Sequence, residues 1–117
     1  MLHEEKKVAK IVEEMTMFFF TMGADEISSE IKKLEDSVEI IVEANYQAEF
    51  ESKIAGMERY LNGQKNDGVE DIYWELAGSG DPGETSQLLL VGMMIDEAKL
   101  QIENDRVKLT MYRKRTA

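Results

Sequence analysis

The sequence predicts an α+β fold: a two-layer sandwich in which a four-stranded antiparallel sheet, made of two hairpins, carries helices on one face. The expected order is α-β-β-α-α-α-β-β, over residues 1–117 as a single domain. Three observations carry that expectation. Residues 38–45 and 100–112 alternate apolar and polar side chains with the period of a strand, several other stretches repeat apolar residues at helical spacing, and 117 residues suit one hydrophobic core. A sheet with such alternation buries one face and wets the other, so the helices belong on the apolar face.

Between His3 and Met22, Val8, Ile11, Val12, Met15, Phe18, Phe19 and Met22 recur at helical spacing with glutamates and lysines between them, and Gly23 follows as a stop. Met17 and Phe20 lie off that stripe, which widens the apolar face: a deeply buried helix is the first account of it, and a second contact, with another subunit, is the other. In DEISSEIKKLEDSVEIIVEANY, Val38, Ile40, Val42 and Ala44 share one face of a strand. Residues 27–34 suit helix or strand, and the turn-like Glu35-Asp36-Ser37 before the second strand favours a hairpin.

Phe50, Ile54, Met57 and Leu61 mark a second helix ended by Asn62-Gly63. Val69, Ile72, Tyr73 and Leu76 mark a short third helix, with Trp74 displaced from its stripe. Residues 87–95 are apolar all round, the mark of a buried helix. Leu100 and Ile102, then Asn104-Asp105, then Val107, Leu109 and Met111 make the second hairpin. On the sheet's polar face Glu39 and Glu43 are expected near Lys108.

The formal net charge is −10, which opposes nucleic-acid binding. The Arg113-Lys114-Arg115 run reads as a frayed, solubilising end, and Glu13-Glu14 and Asp25-Glu26 as solvated surface. No apolar run approaches the ~20 residues that span a bilayer. The charged N-terminus MLHEEKKVAK lacks the apolar core of a signal peptide, so a cytoplasmic location is expected. There is no cysteine, and His3, the single histidine, stands at a terminus, so thiolate and histidine chemistries have no residues to build them.

The stretch GSGDPGET, residues 78–85, matches a phosphate-binding loop at Gly78, Gly83 and Thr85 but has Glu84 where the lysine must stand. The same residues make a helix start: Asp81 as N-cap, Pro82 at the first helical position, and Glu84 reaching back to the Asp81 amide.

Residues 78–113, GSGDPGETSQLLLVGMMIDEAKLQIENDRVKLTMYR, follow the order glycine loop, apolar helix, closing hairpin, and this pattern resembles the histidine-kinase-type ATPase (Bergerat) fold. The resemblance implies ATP with Mg2+ held at Gly80 and Gly83, with Glu43 and Asn45 at the adenine-box position and Glu13 or Glu14 toward the metal. The family's metal-binding asparagine has no counterpart in AKIVEEMTMFFF, nor its Asp-x-Gly-x-Gly box in EANYQ.

The expected function is therefore a non-catalytic interaction or regulatory module. It would bind no cofactor, metal, nucleic acid or membrane, and would present Phe20 and Trp74 to a protein partner or to a second copy in a homodimer. The alternative is an ATP-binding regulatory protein or protein kinase using Gly80 and Gly83.

Overall fold

The structure, a computed structural model, describes residues 2–62 and 84–115, with side chains from Glu4 in the first stretch and from Gln87 in the second. The third helix expected around Val69 to Leu76, and the Asp81-Pro82 cap, lie outside the described residues. Within them run α1 (Leu2–Thr21), β1 (Ile27–Lys33), β2 (Ser37–Asn45), a 3-10 turn (Ala48–Phe50), α2 (Glu51–Leu61), α3 (Glu84–Met94), β3 (Glu97–Glu103) and β4 (Arg106–Lys114). The sheet has the order β1-β2-β4-β3, antiparallel throughout. This is the expected α+β architecture, and residues 27–33 are strand.

Period-two patterning explains which strands are central. β2 buries Val38, Ile40, Val42 and Ala44, and β4 buries Val107, Leu109, Met111 and Arg113, in full alternation. β1 and β3 are the margins and bury far less. The β3–β4 turn holds Asn104 and Asp105 at φ 52° and 62°, the left-handed pair that a tight two-residue hairpin requires and that these residue types tolerate.

α1 lays Val8, Ile11, Met15, Phe18, Phe19 and Met22 into the core, as its spacing predicts. It ends in a Schellman motif: the Gly23 amide donates to the Phe20 carbonyl and the Ala24 amide to the Phe19 carbonyl, both at 3.0 Å. Gly23 has φ +85°, and a Cβ there would lie 2.3 Å from the Gln47 side chain, so glycine is required twice over. α3 packs against both α1 and α2 and buries Leu88, Leu90, Val91 and Met94, which accounts for its lack of a polar face.

Three expectations are corrected. Arg113 is not part of a frayed end: it is 3% exposed on the apolar face of β4, because it continues the Val107, Leu109, Met111 parity. Its Nε and Nη2 donate to the Glu4 carboxylate of α1 at 3.0 and 2.7 Å, and its Nη1 donates to the Met94 carbonyl, at the end of α3, at 2.5 Å. Arg115 is held as well, its guanidinium donating to the Leu34 carbonyl at 2.8 Å. Glu14 is not solvated surface but buried, paired with Lys10 at 3.0 Å one helical turn away, while Glu13, Asp25 and Glu26 are exposed. On the polar face Glu43 stands opposite Lys108, as expected, whereas Glu39 stands opposite Tyr112.

Replacing Arg113 with methionine removes the guanidinium that Glu4 and the Met94 carbonyl share. Because the Glu4 side chain keeps about a quarter of its exposure, the loss should fall at the low end of the range for broken buried pairs, about 3 kcal/mol. A lower urea midpoint at unchanged slope would register it. Lys114→Met, at an exposed neighbour, should change stability by less than about 0.5 kcal/mol.

Candidate interaction surface

Among the described residues, the large apolar side chains left in solvent fall in a few places. On α1, Met17 is 50% and Phe20 55% exposed. Phe18 and Phe19 point inward and meet edge to face with ring centroids 5.5 Å apart, so the three consecutive phenylalanines divide between core and surface by helical rotation alone. The exposed pair sits three residues apart near the end of α1 that Gly23 terminates, on backbone fixed by the Schellman bonds. Phe20, one of the two residues expected at a contact, is thus in solvent, which a wholly buried helix would not allow. Trp74, its expected companion, and Gly80 and Gly83 lie outside the described residues.

The second place is the open end of the sandwich at β1. Ile31 points to the helix side of the sheet, opposite Ile40, yet is 47% exposed, because α1 lies mainly over β2. Val8, Ala9, Ile31 and Val38 line a groove of about 230 Å³ there, with Glu5 and Lys33 paired at 3.5 Å on its rim. The sequence carried a signal for this: of the helix-side positions in ISSEIKK, Ile27 and Ile31 are apolar but Ser29 and Lys33 are not, the sparse pattern of a marginal strand.

The side chains that a nucleotide reading needs have other employment. Asn45 Oδ1 accepts from the Asp25 and Glu26 amides at 2.9 and 3.1 Å, and its Nδ2 donates to the Asp25 carboxylate at 2.6 Å, so it braces the α1–β1 connection. Glu43 projects from the polar face of β2, away from the helix-side face that α1 covers, and stands opposite Lys108. Glu14 is tied to Lys10. No group of three or more acidic or histidine side chains among the described residues is placed to hold a metal ion. One buried polar atom stands out: Gln87 Oε1 on α3 has no hydrogen-bond partner among the described residues. It is an acceptor, so it offers nothing to a phosphate.

Two phenols are held above their ordinary value near 10. Burial, then a 3.2 Å hydrogen bond to the Glu51 carboxylate, raises Tyr46; the hydrogen bond to Glu39, then burial, raises Tyr112, whose ring also has Lys99 Nζ 5.7 Å from its centroid. Comparison with protein-family models, with curated proteins and with solved structures found no match.

Since a raised phenol keeps its proton in the folded state after the unfolded chain has lost it, stability is fully present below about pH 10. It falls as pH rises from there through the folded-state value. Denaturation midpoints should therefore hold steady from about pH 8 to about pH 10 and decline above it, and Tyr46→Phe should flatten the decline.

Proposed function

We propose that this chain is a non-catalytic, cytoplasmic protein-interaction or regulatory module whose contact surface is the outer flank of α1 at Met17 and Phe20. The observation that carries the reading is a large aromatic side chain more than half exposed beside a methionine, on rigid helical backbone. Aromatic anchors dominate binding energy when a partner excludes water from them, and methionine adapts its shape to what it meets. Asn45 and Glu14, to which the nucleotide reading gives roles, are spent on holding the fold together.

The rival reading is an ATP-binding protein of the histidine-kinase type, with the nucleotide at Gly80 and Gly83 and Mg2+ toward Glu13 or Glu14. Against it stand the bonds that tie Asn45 to Asp25 and the place of Glu43 on the polar face; in its favour stand the glycines of residues 78–85 and the exposed Glu13.

A photo-crosslinker introduced at Met17 should trap a defined protein partner, and Phe20→Ala should weaken that partner's binding by at least tenfold while leaving the unfolding midpoint within a few degrees. Unchanged binding in Phe20→Ala would remove the proposal's footing. A magnesium-dependent thermal shift of several degrees with ATP would instead transfer the case to the rival, since a ligand at ~100 times its dissociation constant stabilises by about 2.7 kcal/mol.

A further inference from the structure

The two margins of the sheet are treated differently. On β3 the outward-facing backbone is occupied by α2: the Ala98 amide donates to Asn62 Oδ1 at 2.8 Å, Asn62 Nδ2 donates back to the Ala98 carbonyl at 2.9 Å, and the Leu100 amide donates to Glu58 Oε2 at 2.6 Å. Side chains thus stand where a further strand would pair. β1 has no such cover among the described residues.

The bonds from the Leu34 amide to the Ser37 carbonyl (2.8 Å) and from the Asn45 amide to the Glu26 carbonyl (3.3 Å) turn the even-numbered residues of β1 toward β2. By alternation, Ser29, Ile31 and Lys33 direct their amides and carbonyls outward. An open strand margin of this kind is a template for another strand unless something blocks it.

We propose that β1 pairs antiparallel with β1 of a second copy of the chain about a two-fold axis at Ile31, giving a homodimer with one continuous sheet. Charge selects that register. With Ile31 opposite Ile31 of the second copy, Glu30 of each chain stands opposite Lys32 of the other on the polar face, twice by symmetry. Glu30 and Lys32 are already 3.7 Å apart within one chain, so the four charges alternate in sign. The charged pairs fall at the positions without backbone bonds, where opposed Cα atoms are only about 4.5 Å apart and side chains meet most closely. Sliding by one side-chain step sets Glu30 against Glu30 in one direction and Lys32 against Lys32 in the other.

The backbone and the apolar face agree with the same register. Ile31 exchanges amide–carbonyl bonds with Ile31 of the second copy, and Ser29 with Lys33. On the helix side the two half-exposed isoleucines meet at the axis, so the grooves floored by Val8 and Val38 adjoin and the exposed Ile31 surface is covered. This dimer does not depend on the Met17–Phe20 surface, and its test is independent of that one.

Sedimentation of the whole chain decides the matter, at physiological salt, where charges beyond about 8 Å are screened. The wild type should move from one chain's mass to two with rising concentration. Glu30→Lys alone and Lys32→Glu alone should each remain monomeric, with their unfolding midpoints showing that they fold. The Glu30→Lys/Lys32→Glu double variant should dimerise again, and an equimolar mixture of the two single variants should form a heterodimer. Phe20→Ala should dimerise like the wild type.

A wild type that stays monomeric to about 1 mM, the threshold of any useful association at roughly 4 kcal/mol, would overturn the proposal and make Lys32 and Lys33 guards of a closed margin. So would a dimer indifferent to both single reversals. Loss in the single variants without recovery in the double would overturn the register, and with it the two-fold axis at Ile31.

Discussion

The sandwich depends on one buried guanidinium. Arg113 sits on the apolar face of β4, where a charge without partners would be intolerable, and it is admitted because two helices supply acceptors in the right places. Glu4, in the first turn of α1, gives both carboxylate oxygens to the planar fork. Met94, at the end of α3, gives a carbonyl that the helix itself leaves unpaired and that carries the negative end of its dipole. Three elements far apart in sequence are thereby fixed at one point. The start of α1 is thereby held beside the β1 margin, where Glu4, Val8 and Ile31 line one groove.

Periodicity made most of the fold legible. The stripe of α1, the alternation of β2 and β4, the all-round apolarity of α3 and the glycine stop at Gly23 are local patterns, and the structure reproduces them, with Val12, Leu89 and Met93 only partly buried. Arg113 was misread because its residue type was allowed to outweigh its position: the parity of Val107, Leu109 and Met111 already pointed it inward. Glu14 was misread for the same reason, four residues after Lys10 on one helix face. Both illustrate that patterning decides where a side chain points, and that a charge on the wrong side finds a partner.

The candidate surfaces were legible only in part. Phe20 was visible as a residue off its stripe, since a helical wheel requires no tertiary knowledge. Ile31 left only the faint signal of a strand sparse in apolar residues, because its exposure follows from α1 lying over β2 rather than over β1. The closure of β3 was not legible at all. Asn62 reads as a helix stop, and its service as a surrogate strand for Ala98 arises only when residues 36 positions apart are brought together. Local sequence carries no trace of such a bond.

The register of the central strands has a consequence for how the chain is made. β2 pairs with β4, and Glu4 with a residue 109 positions later, so the middle of the sheet joins an early segment to a late one. As the ribosome delivers the chain, α1 and the β1–β2 hairpin emerge first. They must wait, with Phe18, Phe19, Ile40 and Val42 bare and both margins of the hairpin open, until β4 arrives to be inserted beside β2. Contacts of such long sequence separation repay their loop-closure entropy late, which slows folding and lengthens the interval of exposure. A nascent chain of this topology is a natural client for chaperones that shield apolar segments, and its yield in cells should depend on their supply more than its final stability would suggest.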